Sequence, residues 1–345
     1  MISSIKNDAV WNSSDALPTL KAHSNTEYCP LIYEVIPAHG CVFGCRYCNV
    51  YSLKEEKTFT PVTVFANYPE LVRETIAEHR KIHGRKVVYY FSPKTDVFQG
   101  PLVESGVTER LLEVFVETEA EFILVTKGKL PSQHVLELLI AAGSRCRVLI
   151  SAGMKNEQHA RVLEPNAASL DERFALAAAC SLHGIPTMGI IEPILPLRDL
   201  SFVRQIMARF VGLSTNHFAV DFARISHVCL SELIGNLPEL SELMEIYHAP
   251  DAVSQVFETG AYHRESIQRF APSREYLQTN FALLREYARS LGATISICNY
   301  FRVQGINADA YKRGFLCFGI YDPDRAARFL EDDRKHLPVR SCNHA

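Results

Sequence analysis

Three cysteines within eight residues are the densest concentration of chemistry in the chain: Cys41, Cys45 and Cys48, in the run Cys-Val-Phe-Gly-Cys-Arg-Tyr-Cys. A Cys-x3-Cys-x2-Cys spacing puts three thiolates on one short loop. They can bind three corners of a [4Fe–4S] cubane and leave its fourth iron open. An open iron can chelate the amino and carboxylate groups of S-adenosylmethionine and pass one electron to its sulfonium, which releases a 5′-deoxyadenosyl radical. Gly44 lets the backbone turn between ligands, and Tyr47 is placed to stack on the adenine. Zinc is the competing reading, in a sensor or structural protein. It takes four ligands, commonly as two spaced pairs, and no second Cys-x2-Cys follows, although Cys29 or His39 could complete such a site.

The other seven cysteines are scattered, and a lone intracellular cysteine is usually a small buried hydrophobe. Cys298 stands out because it ends a strand-like run, Ile295–Ile297, beside Asn299, Tyr300 and Arg302. It is a candidate catalytic thiol that quenches a radical or, with Cys317 and Cys342, a ligand of a second cluster. Glu192 ends a strand candidate and could act on cofactor ribose or substrate. His217, Asp221, Arg224 and His227 accompany the next strand as mixed surface and packing residues, with Asp221 the one to reach a site.

The elements that must position these groups begin near residue 32. Short apolar, β-branched runs alternate with amphipathic stretches of helical length, the pattern of βα units around a parallel sheet. The strands are predicted at Ile32–Pro37, Lys86–Phe91, Glu121–Thr126, Arg147–Ser151, Thr187–Ile191 and His217–Phe222. Helical periodicity marks Pro69–His83 and Val107–Thr118 between them. Right-handed crossovers curl six such units into a partial (β/α)6 TIM-like barrel, with reactive residues at the carboxyl ends of its strands. The predicted organisation is an N-terminal segment 1–31, a barrel 32–228, and a mostly helical C-terminal extension 229–345 covering the barrel mouth. That extension includes helices at Ser273–Leu291 and Asp322–His336 and a strand-like Thr294–Phe301.

The 345 residues, 47% hydrophobic, suffice for a sizeable core, and no apolar run is long enough to span a bilayer. Without a signal-peptide core, and with clustered rather than paired cysteines, the chain is expected in the cytoplasm. Its 36 basic and 39 acidic residues give a net charge of −3 with no basic run. A polyanion-binding groove needs such a stripe. The balance favours a small-molecule, natural-product or peptide substrate over nucleic acid.

The cysteine spacing followed by a βα barrel resembles the radical S-adenosylmethionine (SAM) superfamily, over roughly Tyr33 to Asp221. Thr95-Asp96, Thr126-Lys127, Ser151 and Glu192-Pro193-Ile194, each at a strand end, resemble the branch of spore photoproduct lyase and the related DNA repair photolyase-like proteins. Glu164-Pro165 with Ser169 to Arg173 matches a further segment of that branch. The resemblance implies that Thr95 and Asp96 hold the amino group of SAM, that Lys127 and Ser151 hold its carboxylate, and that a flavodoxin- or ferredoxin-like donor supplies electrons. Residue chemistry agrees: Asp96 can accept from an ammonium, and Lys127 and Ser151 can donate to a carboxylate. Two positions depart from the branch. Ser92-Pro93-Lys94 stands where spore photoproduct lyase carries a cysteine hydrogen donor, and Asn49, with Tyr51 two residues on, replaces an aromatic after the last cluster cysteine. These departures set lesion repair behind other hydrogen abstractions as the second reading.

Overall fold

The structure is a computed structural model and describes residues 10–11, 19–22, 32–48, 62–84, 87–247, 253–255, 268–297, 306–316 and 320–334. Its centre is one sheet with seven parallel strands. These are β1 (Ile32–Val35), β2 (Val88–Phe91), β3 (Glu121–Thr126), β4 (Cys146–Ser151), β5 (Thr187–Ile194), β6 (His217–Phe222) and β7 (Thr294–Ser296). They lie side by side in chain order, and Lys21–Ala22 adds an antiparallel edge beside β1. The sheet does not close on itself.

Helices cross between the strands. They include α1 (Tyr68–His83), α2 (Val107–Glu117), α3 (Gln133–Ala142), α4 (Glu157–Leu163), α5 (Leu170–Leu182) and α6 (Ser201–Val211). Their ends follow local chemistry. Pro69 opens α1, which closes on basic residues and Gly84. Ser169 and Glu172 form a reciprocal capping box at the start of α5.

Strand register sorts the core into two layers, because alternate side chains point to opposite faces. On the helix-covered face, Val35, Phe91, Leu124, Val148, Ile191 and Phe218 pack with helix residues such as Leu111, Phe115 and Phe174. The inner face carries a smaller row: Ile32, Val88, Tyr90, Ile123, Leu149, Met188, Ile190 and Ala219. Two residues further along the same face, towards the carboxyl ends, the row turns polar at Glu34, Ser151, Glu192 and Asp221, and Ser92 and Lys127 directly follow β2 and β3. The hydrophobic barrel thus opens into a polar rim, where the fold places chemistry.

The sequence reading locates all six of its strands. The seventh, β7, comes from the extension and pairs in parallel with β6, His217 opposite Thr294 and Ala219 opposite Ser296. A three-residue strand read in isolation does not reveal its partner, so six units become seven strands. The extension serves both ends of the sheet. Near the carboxyl ends Tyr247 Oη donates to the Ala223 carbonyl at 2.7 Å and Tyr276 Oη to the Leu197 carbonyl at 2.6 Å. Phe315 and Ile320 pack at the amino ends. There Ile320 joins the inner row, and the Phe315 ring lies 5.6 Å from that of His217 with the Arg147 guanidinium 5.7 Å above it.

At this amino end His217 ties the last strand to the sheet. Its Nδ1 lies 2.6 Å from Thr294 Oγ1, and its Nε2 lies 3.3 Å from Ser296 Oγ. Among the described residues, no helix is long and apolar enough to cross a membrane.

Candidate functional site

The cysteine loop follows β1 and is held from three directions. The Gln99 side chain, fully buried, accepts from Val42 N at 3.1 Å and donates to the Gly40 carbonyl at 3.3 Å. Asn166 N donates to the Phe43 carbonyl at 3.3 Å and Asn166 Nδ2 to that of Val42 at 2.8 Å. Arg46 N and Nε donate to the Leu163 and Val162 carbonyls at the end of α4, at 2.9 and 2.8 Å. Gly44 takes φ +61°, a turn that a side chain would strain.

Cys41, Cys45 and Cys48 are each partly exposed on this loop. Burial, with the negative charge of Asp96 second, pushes the Cys41 thiol well up; burial also raises Cys45, to about 12, against the opposing pull of Lys127. In the metal-free chain these two are therefore neutral thiols, and a bound metal is what would make them thiolates. Among the described residues no three His, Cys, Asp or Glu side chains converge tightly enough for a single metal ion. A cubane, in contrast, takes its thiolates on separate irons, which suits three partly buried cysteines on one loop.

The polar rim faces this loop. Asp96 follows β2 and is 5% exposed. Its Oδ1 accepts from Thr126 Oγ1 at 2.8 Å and Phe98 N at 2.9 Å, and its Oδ2 from Lys127 N at 2.7 Å. A carboxylate offers about four acceptor positions, so about one is left for an incoming ammonium. Burial raises the Asp96 pKa, and those three hydrogen bonds oppose it. Gly128 makes this packing feasible, since a Cβ there would stand 2.6 Å from Phe98 Cβ. The Thr95 hydroxyl is bonded to that of Ser92, whose backbone sits at φ +63°.

Lys127 directly follows β3, with its Nζ 5.9 Å from the centre of the Tyr47 ring. Burial alone would lower its pKa, but the acidic groups around it, Cys45, Glu164 and Asp96, outweigh burial and raise it, so the ammonium keeps its proton. Ser151 ends β4, and among the described residues its hydroxyl reaches the Glu192 carbonyl alone, at a long 3.5 Å, which leaves it able to donate elsewhere. Glu192 lies two residues before the end of β5 and is pushed up by burial and then by the neighbouring Asp221 carboxylate. Asp221 in turn is gripped by Arg224, Nη1 to Oδ2 at 2.7 Å. Tyr47 is buried, and its hydroxyl donates to Glu164.

The fold therefore gathers Cys41, Cys45, Cys48, Tyr47, Thr95, Asp96, Lys127, Ser151 and Glu192 around one rim. Cys298, Cys317, Cys342, Cys29, Asn49 and Tyr51 lie outside the described residues. Sequence reasoning missed Gln99, because a single glutamine carries no signal of a loop clamp. It noted Glu164 and Arg173 without a role, yet they prove to be a buried pair beside the site, Nη2 to Oε2 at 2.5 Å.

Residues 35–200 match the family model of the Radical SAM superfamily. No curated protein matches the chain by sequence. Among solved structures the fold is similar to a cysteine-to-serine mutant of spore photoproduct lyase, with TM-score 0.61, 14% identity, and coverage of 84% of this chain and 81% of that one. It is also similar to spore photoproduct lyase complexed with dinucleoside spore photoproduct: TM-score 0.58, 16% identity, coverage 81% and 80%. A double mutant of that lyase with bound AdoMet and dinucleoside gives TM-score 0.55 at 16% identity, with coverage of 78% and 77%. The matched segment runs from the end of β1 past β5 and contains the cysteine loop. Residues 35–200 thus form a domain of the Radical SAM superfamily, a family of enzymes that use a [4Fe–4S] cluster and S-adenosylmethionine.

Proposed function

We propose that this enzyme abstracts a hydrogen atom from a small-molecule, natural-product or peptide substrate held at the polar rim of the sheet. The observation that carries the reading is the convergence, at successive strand ends, of a three-cysteine loop with acceptors and donors suited to an amino-acid moiety. Cys41, Cys45 and Cys48 would hold the cluster. Thr95 and the remaining acceptor position of Asp96 would receive the ammonium of SAM, and the Lys127 ammonium and Ser151 hydroxyl its carboxylate. Tyr47 and Glu192 complete the cofactor side, Tyr47 beside the cysteines and Glu192 towards ribose or substrate.

When bound, the cluster and SAM supply a 5′-deoxyadenosyl radical, for which the enzyme needs an external electron donor. The chain's own part is positional. Lys127, charged at any working pH, would fix one end of the cofactor, with the other contacts on strand ends and on the hydrogen-bonded loop that carries Asp96. Glu34, Glu192 and Asp221 line the rim, Glu34 paired with Lys94 at 2.9 Å and Asp221 with Arg224. A rim of paired charges with no basic stripe offers a polyanion little and suits a substrate with amine, amide or hydroxyl groups. Lys94 also lies beside the position where spore photoproduct lyase carries its thiol donor, so a returning hydrogen atom would need another source. Lesion repair in nucleic acid is the second reading, favoured by the similarity in fold to the dinucleoside-bound lyase.

The test is anaerobic reconstitution with iron and sulfide, reduction with SAM, and assay of 5′-deoxyadenosine in wild type and Cys45→Ala. Deoxyadenosine from wild type alone, with about four irons per chain, is the expected result. A fully loaded wild type that yields none would overturn the assignment. Affinity for oligonucleotides that falls steeply with salt would shift the substrate to nucleic acid.

A further inference from the structure

Arg173, on α5, has no exposed surface, yet it is a charged side chain 22 residues beyond the strand end at Ser151. Its Nε donates to the Ala168 carbonyl at 2.8 Å, its Nη1 to the Ser151 carbonyl at 3.0 Å, and its Nη2 pairs with Glu164 at 2.5 Å. Ala168 N in turn donates to the Lys127 carbonyl at 3.0 Å. Glu164, 2% exposed, receives the Tyr47 hydroxyl on its other oxygen. One guanidinium therefore reaches the ends of β3 and β4 through backbone carbonyls, and the cysteine loop through a carboxylate and a phenol.

Burying an ion pair this fully costs desolvation that well-packed apolar groups would avoid, so its contribution lies in fixing geometry. Tyr47 stands between Cys45 and Cys48. Its hydroxyl is held by Glu164, and Lys127 faces its ring. We propose that Glu164 and Arg173 are positioning residues: they lock the Cys45–Cys48 turn to the Lys127 and Ser151 strand ends, and so set the distance between the cluster and the SAM-binding groups. The proposal rests on the cofactor-site reading above and deepens it.

The brace predicts two effects that a merely stabilising pair would not produce. In the cluster-free chain, amide hydrogen exchange over residues 41–48 should accelerate about tenfold in Glu164→Gln and in Tyr47→Phe, as expected for losing one charge-assisted hydrogen bond. Exchange in α5 should stay at the wild-type rate in Tyr47→Phe, which removes only the phenol and leaves the ion pair intact. In the reconstituted proteins, the SAM concentration that half-saturates the change in the reduced-cluster electron paramagnetic resonance signal should rise about tenfold, with iron content unchanged. Wild-type exchange over 41–48 together with wild-type half-saturation in both variants would overturn the brace, whatever their melting temperatures. A loaded wild type whose signal ignores SAM would overturn the cofactor-site reading, and the brace with it.

Discussion

Replacing His217 by glutamine tests how the C-terminal strand is attached. The imidazole is 4% exposed, bonded to Thr294 and Ser296 of β7, and faced by Phe315, Arg147 and Arg313. Burial first, and the two arginines after it, hold its pKa down at about 3, against an ordinary value of 6.5. The sign follows from linkage: the native state refuses a proton that the unfolded chain accepts, so stability falls as pH drops through 6.5 and continues to fall towards 3. The full gap is worth about 5 kcal/mol, and the part between about pH 7.5 and about pH 5.5 is about 1.4 kcal/mol. Urea unfolding of the cluster-free protein, followed by far-ultraviolet circular dichroism at those two pH values, measures it. Every other titrating group is common to both proteins. His217→Gln should therefore lose about 1.4 kcal/mol less than wild type on acidification, although it starts from a lower stability. Parallel losses in the two proteins would refute the reasoning.

Asp96→Asn turns an acceptor into a donor against one of three inward-pointing hydrogen bonds, most directly Lys127 N–H. The expected loss is about 1–3 kcal/mol of stability, read by thermal melting. Gly128→Ala places a methyl 2.6 Å from Phe98 Cβ; it should cost about 1–3 kcal/mol and weaken SAM binding in the loaded enzyme, measured by calorimetry. Glu192 has its pKa raised by burial and by Asp221, so the native state favours its proton, and stability is lost as pH rises above the ordinary carboxylate range. Glu192→Gln should therefore gain on wild type in urea melts as the pH is raised from about 5 to about 8; equal slopes would contradict the buried pairing.

The fold was legible where the pattern was long and local. Val88-Tyr89-Tyr90-Phe91 reads as a buried strand from composition alone, and strand-end residues such as Lys127 and Ser151 fall in place once the strands do. Thr294–Ser296 was seen as strand-like, but its pairing with β6 depends on a contact remote in sequence. The cysteines announce themselves by spacing. Asp96 was read as an acceptor for a ligand, whereas the structure shows it mostly engaged by Thr126, Phe98 and Lys127, because hydrogen-bond partners contributed by other strands leave no periodic trace. Arg173 looked like one more helix arginine. Only its total burial reveals its partners.

The late arrival of β7 bears on how the chain is made. Roughly seventy residues separate Phe222 from Thr294, so β6 emerges from the ribosome as an unpaired sheet edge and stays so until most of the remaining chain has been synthesised. An exposed edge of the sequence His-Phe-Ala-Val-Asp-Phe invites pairing with neighbouring chains. Expression of fragments that stop before residue 294 should therefore yield aggregates, and chaperone demand should peak in the interval before that strand docks.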